Sequence, residues 1–358
     1  MKAMNAKQDR VFYGDNISIV GCDEDCTRFH LKDETGEGHM TAYRVFPGVR
    51  LIYNEIRMGR CQISAVPPEG IIEINHCRSG RIECLFDNGA YLYMEGGDLS
   101  VNIKDGTCHA SSFPTDYYSG ISIEIDLAEA PGCLCCVLDD IYIDFEKLIR
   151  VLHGSGSFFV IRNMESFDHI FSELYSVPEK IRTGYFKIKV LEILLFLCGM
   201  DLDSALMPHR YYPRQQVETV KAVKTYLTAH LDQHMTLPDL SKKFDISLTQ
   251  MKKCFRDVFG VPIYGYLRSC RMHRAGKLLR RTDETVMEIA GQVGYDNASK
   301  FAAAFKTVMG RTPTQYRRSC ARMDQQKTLS PAASEEKSAL QEGAAGGRQG
   351  RLQRKGES

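Results

Sequence analysis

The sequence predicts an α+β protein of two domains, the first rich in β-strands and the second entirely helical. Between Arg44 and Ile125, short apolar runs alternate with Gly, Pro and Asp turn residues, which is typical of a β-sandwich or small barrel. From Phe145 onwards, apolar residues recur at helical spacing. Residues 237–316 contain one short helical unit twice. The chain of 358 residues is long enough for two hydrophobic cores.

The first domain is predicted from a series of short strands, whereas residues 1–40 are polar and give few clear periodicity signals. The predicted strands are Val49–Ile56, Gln62–Val66, Ile71–Cys77, Arg81–Phe86, Ala90–Met94, Leu99–Ile103 and Gly120–Ile125. Alternate residues of a strand point to opposite faces of its sheet. The interior is therefore lined by one of two sets, either Glu73, Asn75 and Cys77 or Ile72, Ile74 and His76. Our candidates for recognising a small molecule are Glu73, Asn75 and His76.

Three helices are predicted after the strands. Their apolar stripes are Phe145, Leu148, Ile149 and Leu152; Phe167, Ile170, Phe171 and Leu174; and Phe186, Val190, Ile193, Leu194 and Leu197. We place the first domain at residues 1–205 and a Pro-containing linker at 206–213. A second domain is predicted at 214–320, and a disordered tail rich in Gly, Ala, Gln, Lys and Glu at 321–358.

The net charge of +1 hides a strong division along the chain. Residues 214–320 hold 19 Lys and Arg against 9 Asp and Glu, a net charge of +10. The tail carries +2, and residues 1–213 carry −11, with 20 basic against 31 acidic residues. This polarity predicts a polyanionic partner for the second domain alone.

Other function classes lack their sequence signals. We find neither a signal peptide nor an apolar run of about 18 residues, so we expect a cytoplasmic protein that does not span a membrane. The 13 cysteines are then expected to be reduced thiols.

Neither Cys22, Cys26 and His30 nor the cluster Cys133-Leu-Cys135-Cys136 has the second pair that a zinc site needs. His76 and His109 are single, and the strand region has no His-x-His motif. We therefore predict no enzyme, no metal and no cofactor.

The repeated unit is the most informative feature of the sequence. Leu240 corresponds to Ile289 at an offset of 49, and Phe255 corresponds to Phe305 at an offset of 50. Each copy has a short apolar helix, a turn, and a second helix that carries cations. This order is that of a helix-turn-helix, whose second helix enters the major groove of DNA.

Candidate DNA contacts lie on the outward faces of the two second helices. In the helix Leu248–Phe259, Ser247 is the expected N-cap. In the helix Ala298–Met309, the expected N-cap is Asp296 or Asn297. The candidates are Thr249, Lys252, Lys253, Arg256, Ala298, Ser299, Lys300, Ala302, Ala303 and Lys306, with Arg311, Arg317 and Arg318 as phosphate contacts. The connecting helix Ile263–Arg281 would span about 30 Å, similar to the roughly 34 Å between successive major grooves on one face of DNA.

Residues 237–317 resemble the DNA-binding domain of the AraC/XylS family of bacterial transcription regulators. The most specific match is Ile289-Ala290, Val293-Gly294-Tyr295, Ser299, Phe301, Phe305-Lys306, Gly310, Thr312-Pro313 and Tyr316-Arg317. The resemblance implies a seven-helix domain that binds promoter DNA and, with RNA polymerase, activates transcription. It assigns base reading to Thr249, Lys252 and Lys253 in the first copy and to Ala298, Ser299 and Ala303 in the second. Many relatives have larger polar residues at Ala302 and Ala303, so we expect weaker direct readout by the second copy.

The first domain resembles, by pattern alone, the cupin-like sensing barrel of this family, which dimerisation helices follow. The resemblance makes the helix at 185–200 a dimer contact, and packing on its own barrel is the alternative. We therefore predict a sequence-specific regulator controlled by a small-molecule effector, in which the acidic first domain masks the basic second one. The alternatives are an architectural DNA-binding protein without an effector, and a cupin-type metal enzyme fused to a DNA-binding domain.

Overall fold

The computed structural model describes residues 17–23, 25–62, 69–85, 89–104, 110–130, 143, 145–154, 158–201 and 211–320. Several predictions therefore concern residues outside the described ranges. They include the tail 321–358, the cluster Cys133–Cys136, His109 and most of the linker 206–213. The predicted strand Gln62–Val66 is described only at its first residue.

The strands of the N-terminal region form two sheets. The large sheet has eight strands in the order β1-β2-β3-β4-β11-β6-β9-β12. They are β1 Ile17–Cys22, β2 Cys26–Asp33, β3 Gly36–Phe46, β4 Val49–Arg57, β6 Ile71–Gly80, β9 Leu99–Lys104, β11 Tyr118–Asp126 and β12 Phe158–Ile161. The small sheet has the order β13-β8-β7-β10-β5. Its strands are β5 Arg60–Gln62, β7 Ile82–Leu85, β8 Ala90–Met94, β10 Ala110–Ser112 and β13 Tyr212–Pro213. A β domain is thus present, but its described strands do not close into the predicted cupin-like barrel.

Strands β1 to β3 were missed by the sequence analysis. Phe29 and Leu31 of β2 and Met40 and Ala42 of β3 are buried, and Phe29 pairs with Met40 in the ladder. Each strand buries few large apolar residues, and polar or glycine residues separate them. The alternation is consequently too short and too weak to stand out in the sequence.

Three helices pack on one face of the large sheet: α1 Phe145–Gly154, α2 Glu165–Leu174 and α3 Arg182–Gly199. A second core joins the opposite face to the small sheet, with Leu92 and Met94 of β8 among its members. The predicted apolar stripe of α3, from Phe186 to Leu197, belongs to the first core and is at most 2% exposed. Packing on its own domain, the alternative to a dimer contact, therefore accounts for this stripe.

The C-terminal region is helical, as predicted. Its helices are α4 Arg214–Ala229, α5 Leu237–Lys243, α6 Leu248–Phe259, α7 Ile263–Arg281, α8 Val286–Gln292 and α9 Ala298–Met309. Residues 313–320 are also helical, which gives seven helical segments within the described range 211–320. No helix in the described ranges is both long and apolar enough to cross a membrane.

Packing groups the chain into two compact units. The first contains Met1–Ala222 together with Phe244–Pro262, and the second contains Val223–Lys243 together with Ile263–Ser358. Helix α6 therefore packs within the first unit, whereas α5, α7, α8 and α9 belong to the second. The domain boundaries proposed from the sequence, at 205 and 214, stay predictions.

Candidate nucleic-acid interface

Helix α6, the second helix of the first repeat, is bounded by caps at both ends. The Ser247 side chain accepts a hydrogen bond from the Gln250 backbone N–H, which confirms the predicted N-cap. At the other end, Gly260 adopts φ +77°, a left-handed conformation that costs glycine little. The turn before the helix places Asp245 at φ +47°. Local sequence thus fixes both the start and the end of α6.

The two faces of α6 differ sharply. Its inner face buries Met251, Cys254, Phe255, Val258 and Phe259. Its outer face exposes the four predicted DNA contacts, Thr249, Lys252, Lys253 and Arg256. Lys and Arg donors on such a face can reach guanine edges or phosphates, and the threonine methyl can contact thymine.

The second repeat begins with a capping box. The Thr285 hydroxyl accepts from the Glu288 backbone N–H, and the Glu288 carboxylate accepts from the Thr285 backbone N–H at 2.7 Å. Asn297, one of the two predicted alternatives, is the N-cap of α9, with its side-chain oxygen 2.9 Å from the Lys300 nitrogen. Gly310 at φ +74° ends the helix. The second copy therefore repeats the cap pattern of the first.

Helix α9 carries smaller outward side chains than α6. Phe301 and Phe305 are fully buried among residues of α7 and α8. The predicted contacts Ala298, Ser299, Lys300, Ala303 and Lys306 are exposed, and Ala302 is partly exposed. Small side chains allow a backbone to approach a phosphate closely, but they offer few donors for base edges.

Two arginines hold the second repeat together. Arg317 donates to the carbonyl oxygens of Leu279 and Glu284, at 3.3 and 2.5 Å. Arg271 donates to Gln233 O at 2.7 Å and Gly294 O at 3.3 Å. The predicted phosphate contact at Arg317 thus has internal partners, whereas Arg311 is exposed. Arg271 was not named as a functional residue. The sequence does contain a signal for these contacts, because Arg271 stands among the apolar residues of α7 and a partly buried cation needs hydrogen-bond acceptors.

The effector candidates lie on opposite faces of the large sheet. Glu73 and Asn75 of β6 pair with Glu124 and Ser122 of β11, on the face that carries Cys77 of the core shared by the two sheets. His76 points to the helix-covered face, where its ring stacks on Phe171 at 4.2 Å between centroids. These residues therefore cannot line one pocket together.

A polar row crosses the Glu73 face of the sheet. Arg50, Glu124, Glu73 and Asn102 are successive partners on β4, β11, β6 and β9. The Glu124 carboxylate accepts from Arg50 at 2.6 Å and from Lys104 at 2.9 Å. Burial alone would raise the pKa of Glu124, but these two cations outweigh it and lower the pKa to about 2. The row places charged and amide groups on the face that the large sheet shares with the small sheet.

His76 has the surroundings of a structural residue. Its Nε2 lies 3.3 Å from Asp168 Oδ1, and its buried Nδ1 has no hydrogen-bond partner among the described residues. Burial lowers the pKa of His76, and Asp168 offsets part of this effect. Burial in the helix-covered core thus favours the neutral form of the imidazole.

The described residues contain no group of three or more His, Cys, Asp or Glu side chains that could hold a metal ion. Each cysteine within these ranges is a free thiol. Burial raises the pKa of Cys77, Cys84 and Cys254 to about 12, so these sulfurs stay protonated and react poorly.

Tandem capped helix-turn-helix units define the class of the C-terminal region. Residues 240–319 match a family model described as a helix-turn-helix domain. This region is a helix-turn-helix domain of the AraC type, which confirms the resemblance drawn from the sequence.

Two curated relatives each match 104 residues of this chain. The Right origin-binding protein of Escherichia coli K12 is 33% identical over 104 residues, which are 29% of this chain and 36% of the relative. The Transcriptional regulator Rob of Salmonella typhimurium has the same identity and coverage. The chain thus spans about a third of the length of these curated relatives. The solved C-terminal domain of AraT, a response regulator from Geobacillus stearothermophilus, is 32% identical. It covers 28% of this chain and 84% of that chain, with a TM-score of 0.28.

Proposed function

We propose that the chain is a sequence-specific DNA-binding transcription regulator. The observation that carries this proposal is the exposed basic face of α6 within a repeated, capped helix-turn-helix pair. The names of its relatives, an origin-binding protein and a transcriptional regulator, support the same reading. Double-stranded promoter DNA is the proposed partner, and RNA polymerase is the proposed second partner in activation.

The two repeats have different roles in this proposal. Helix α6 reads bases through Thr249, Lys252 and Lys253, with Arg256 beside them. Helix α9 brings the backbone of Ala298, Ser299 and Ala303 close to DNA, and its cations Lys300 and Lys306 bind phosphates together with Arg311. Phosphate contacts fix register, whereas base contacts give specificity. The first repeat therefore dominates sequence choice.

The test is selection of duplexes from a random pool by the full chain, followed by titration of Lys253→Ala. If Lys253 contacts a base, the substitution costs on the order of 1–3 kcal/mol and relaxes preference at one position. If it contacts phosphate, binding weakens on all sequences and the salt dependence falls by about one unit. Lys32→Ala, which removes an exposed lysine from β2, is the control and should change neither quantity. Failure of the wild-type chain to enrich any duplex would contradict the proposal.

We further propose that a small molecule controls this binding from the β domain, at Glu73 and Asn75. Beside them, on the face shared with the small sheet, lie the cations Arg50 and Lys104 and the Glu124 carboxylate. A thermal-shift screen with sugars, aromatic acids, siderophores and peptides tests this. A ligand that stabilises wild type but not Asn75→Ala supports the site, and one that stabilises both equally contradicts it. His76→Ala changes the opposite, helix-covered face, so a ligand bound at Glu73 and Asn75 should still stabilise this variant.

A homodimer is proposed through a second face of α3. Its buried stripe is used internally, but Ile188 and Phe196 are 64% and 44% exposed. Ile188, Leu191, Leu195 and Cys198 follow each other at spacings of three and four residues and are all exposed or partly exposed. Such spacing matches the seam of a two-helix contact. Sedimentation should show a dimer for wild type and a monomer for Ile188→Glu. A monomeric wild type would refute this proposal.

A further inference from the structure

The C-terminal end of α6 is held by the open end of the β7–β8 hairpin, within the first compact unit. Arg81 precedes β7 and is 8% exposed. Its Nη1 donates to the carbonyl oxygen of Asp257 in the last turn of α6, at 2.5 Å. Its Nη2 pairs with Glu95, which follows β8. A helix leaves its last four carbonyls without internal partners and carries negative partial charge there, so a buried guanidinium is a strong partner.

Gly260, the C-cap of α6, fits closely against the same arginine. A Cβ atom at this position would lie 2.7 Å from Arg81 Nε. The equivalent cap of α9, Gly310, has nearly the same φ, +74° against +77°, but nothing lies within 4 Å of its Cβ position. The close contact is therefore a property of α6 and not of helix caps of this kind.

A second set of contacts joins the same elements. The Tyr212 hydroxyl of β13 donates to the Asp257 carboxylate. Buried Glu83 of β7 accepts from Tyr93 of β8 at 2.5 Å and from Lys221 of α4 at 2.7 Å. Strand β13 also pairs with β8. The hairpin, the middle of α4 and the end of α6 are thus tied by charged hydrogen bonds, which are stronger than neutral ones.

None of these contacts uses the outward face of α6. The four candidate DNA contacts of α6, Thr249, Lys252, Lys253 and Arg256, are exposed while the Asp257 carbonyl accepts from Arg81. We propose that Arg81 is a positioning residue for the recognition helix: it fixes the orientation of α6 relative to the β7–β8 hairpin. The inference rests on the proposed DNA-binding function. It makes the β domain act on DNA binding by orienting the recognition helix, not by covering it.

A helix that is already oriented loses less conformational freedom on binding, which favours the specific complex. Release of α6 should therefore weaken specific binding about tenfold, within the usual range of coupling between sites. The slope of log affinity against log salt should not change, because buried Arg81 neutralises no phosphate.

The decisive experiment is a double-mutant cycle in the full chain, with Gly260→Ala and Gly310→Ala as matched substitutions. Both force a side chain into the left-handed region, but only Gly260→Ala meets Arg81. The affinity loss on the wild-type-selected duplex should be larger for Gly260→Ala than for Gly310→Ala. This additional affinity loss of Gly260→Ala should disappear when Arg81 is also replaced with Ala. Arg81→Lys, which keeps the charge but not the two-pronged geometry, should restore part of the affinity lost in Arg81→Ala.

Amide hydrogen exchange provides a readout that does not need DNA. In Arg81→Ala, amides of the last turn of α6 should exchange faster while those of α9 stay unchanged. Equal exchange and equal affinity in wild type and Arg81→Ala would overturn the inference. A loss on every duplex with a salt slope lower by about one would also overturn it, by making Arg81 a direct phosphate contact. If the wild-type chain selects no duplex, the proposed function fails, and faster exchange in α6 still shows the coupling.

Discussion

Glu124→Gln tests whether the polar row inside the β domain is an ion-paired structure. The carboxylate is fully paired with Arg50 and Lys104, and its pKa is about 2 against a usual value of 4.5. A difference of about 2.5 units, at 1.36 kcal/mol per unit, corresponds to about 3 kcal/mol of stability. Because the folded pKa is the lower one, this contribution is complete above pH about 4.5. It is lost as the pH falls from about 4.5 towards 2.

The glutamine variant should be less stable than wild type by about 3 kcal/mol at pH 7, because two cations then lack their carboxylate. As the pH falls below about 4.5, Glu124 is protonated in the unfolded chain but stays ionised in the folded one, so the difference should shrink. Urea unfolding followed by far-ultraviolet circular dichroism, at intervals from pH 7 to pH 3, measures it. Glu55→Gln removes a carboxylate of an exposed pair, 3.4 Å from Arg57, and should change stability by less than about 1 kcal/mol. A stability difference that stays constant between pH 7 and pH 3 would refute the reasoning.

Two further predictions concern the helical repeats, and a third compares an exposed with a buried cysteine. Phe305→Ala should destabilise the chain by about 3–5 kcal/mol, since the ring is fully buried, and calorimetry would show it as a lower Tm. Thr285→Ala should cost about 1 kcal/mol through loss of the capping box, and an unchanged midpoint in urea would contradict this. Native protein should react with a maleimide at exposed Cys22 but not at buried Cys254. Mass spectrometry of the labelled peptides measures this, and labelling of Cys254 before Cys22 would contradict the prediction.

The helical repeats could be predicted from sequence because their signals are local. Ser247 and Asn297 are side chains that cap helices, and Gly260 and Gly310 are glycines in left-handed caps. Phe255 and Phe305 each lie at helical spacing from the other buried residues of their own helix, which is the pattern of a buried helix face. Each of these signals acts within about one turn of helix, so the sequence alone contains it.

Other features depend on contacts between distant segments. Arg81 and Asp257 are 176 positions apart, and no local pattern marks either as a contact residue. The partners of Arg317, 33 and 38 positions away, likewise could not be inferred from its place in the last described helix, residues 313–320. The choice between the Glu73 and His76 faces required the ladder with β11, because alternation in one strand identifies two faces without saying which is covered by helices.

The contacts of α6 also bear on how the β domain could control DNA binding. Masking by charge attraction needs the basic face of α6 to be covered, yet Lys252, Lys253 and Arg256 are exposed. Attraction between exposed charges is screened within about 8 Å at physiological ionic strength, so a masked state would open as salt rises. Control by orientation passes instead through Arg81, a buried cation that salt screens weakly. An effector response that persists from about 50 to 300 mM salt, after correction for the salt dependence of DNA binding itself, would thus favour orientation over masking.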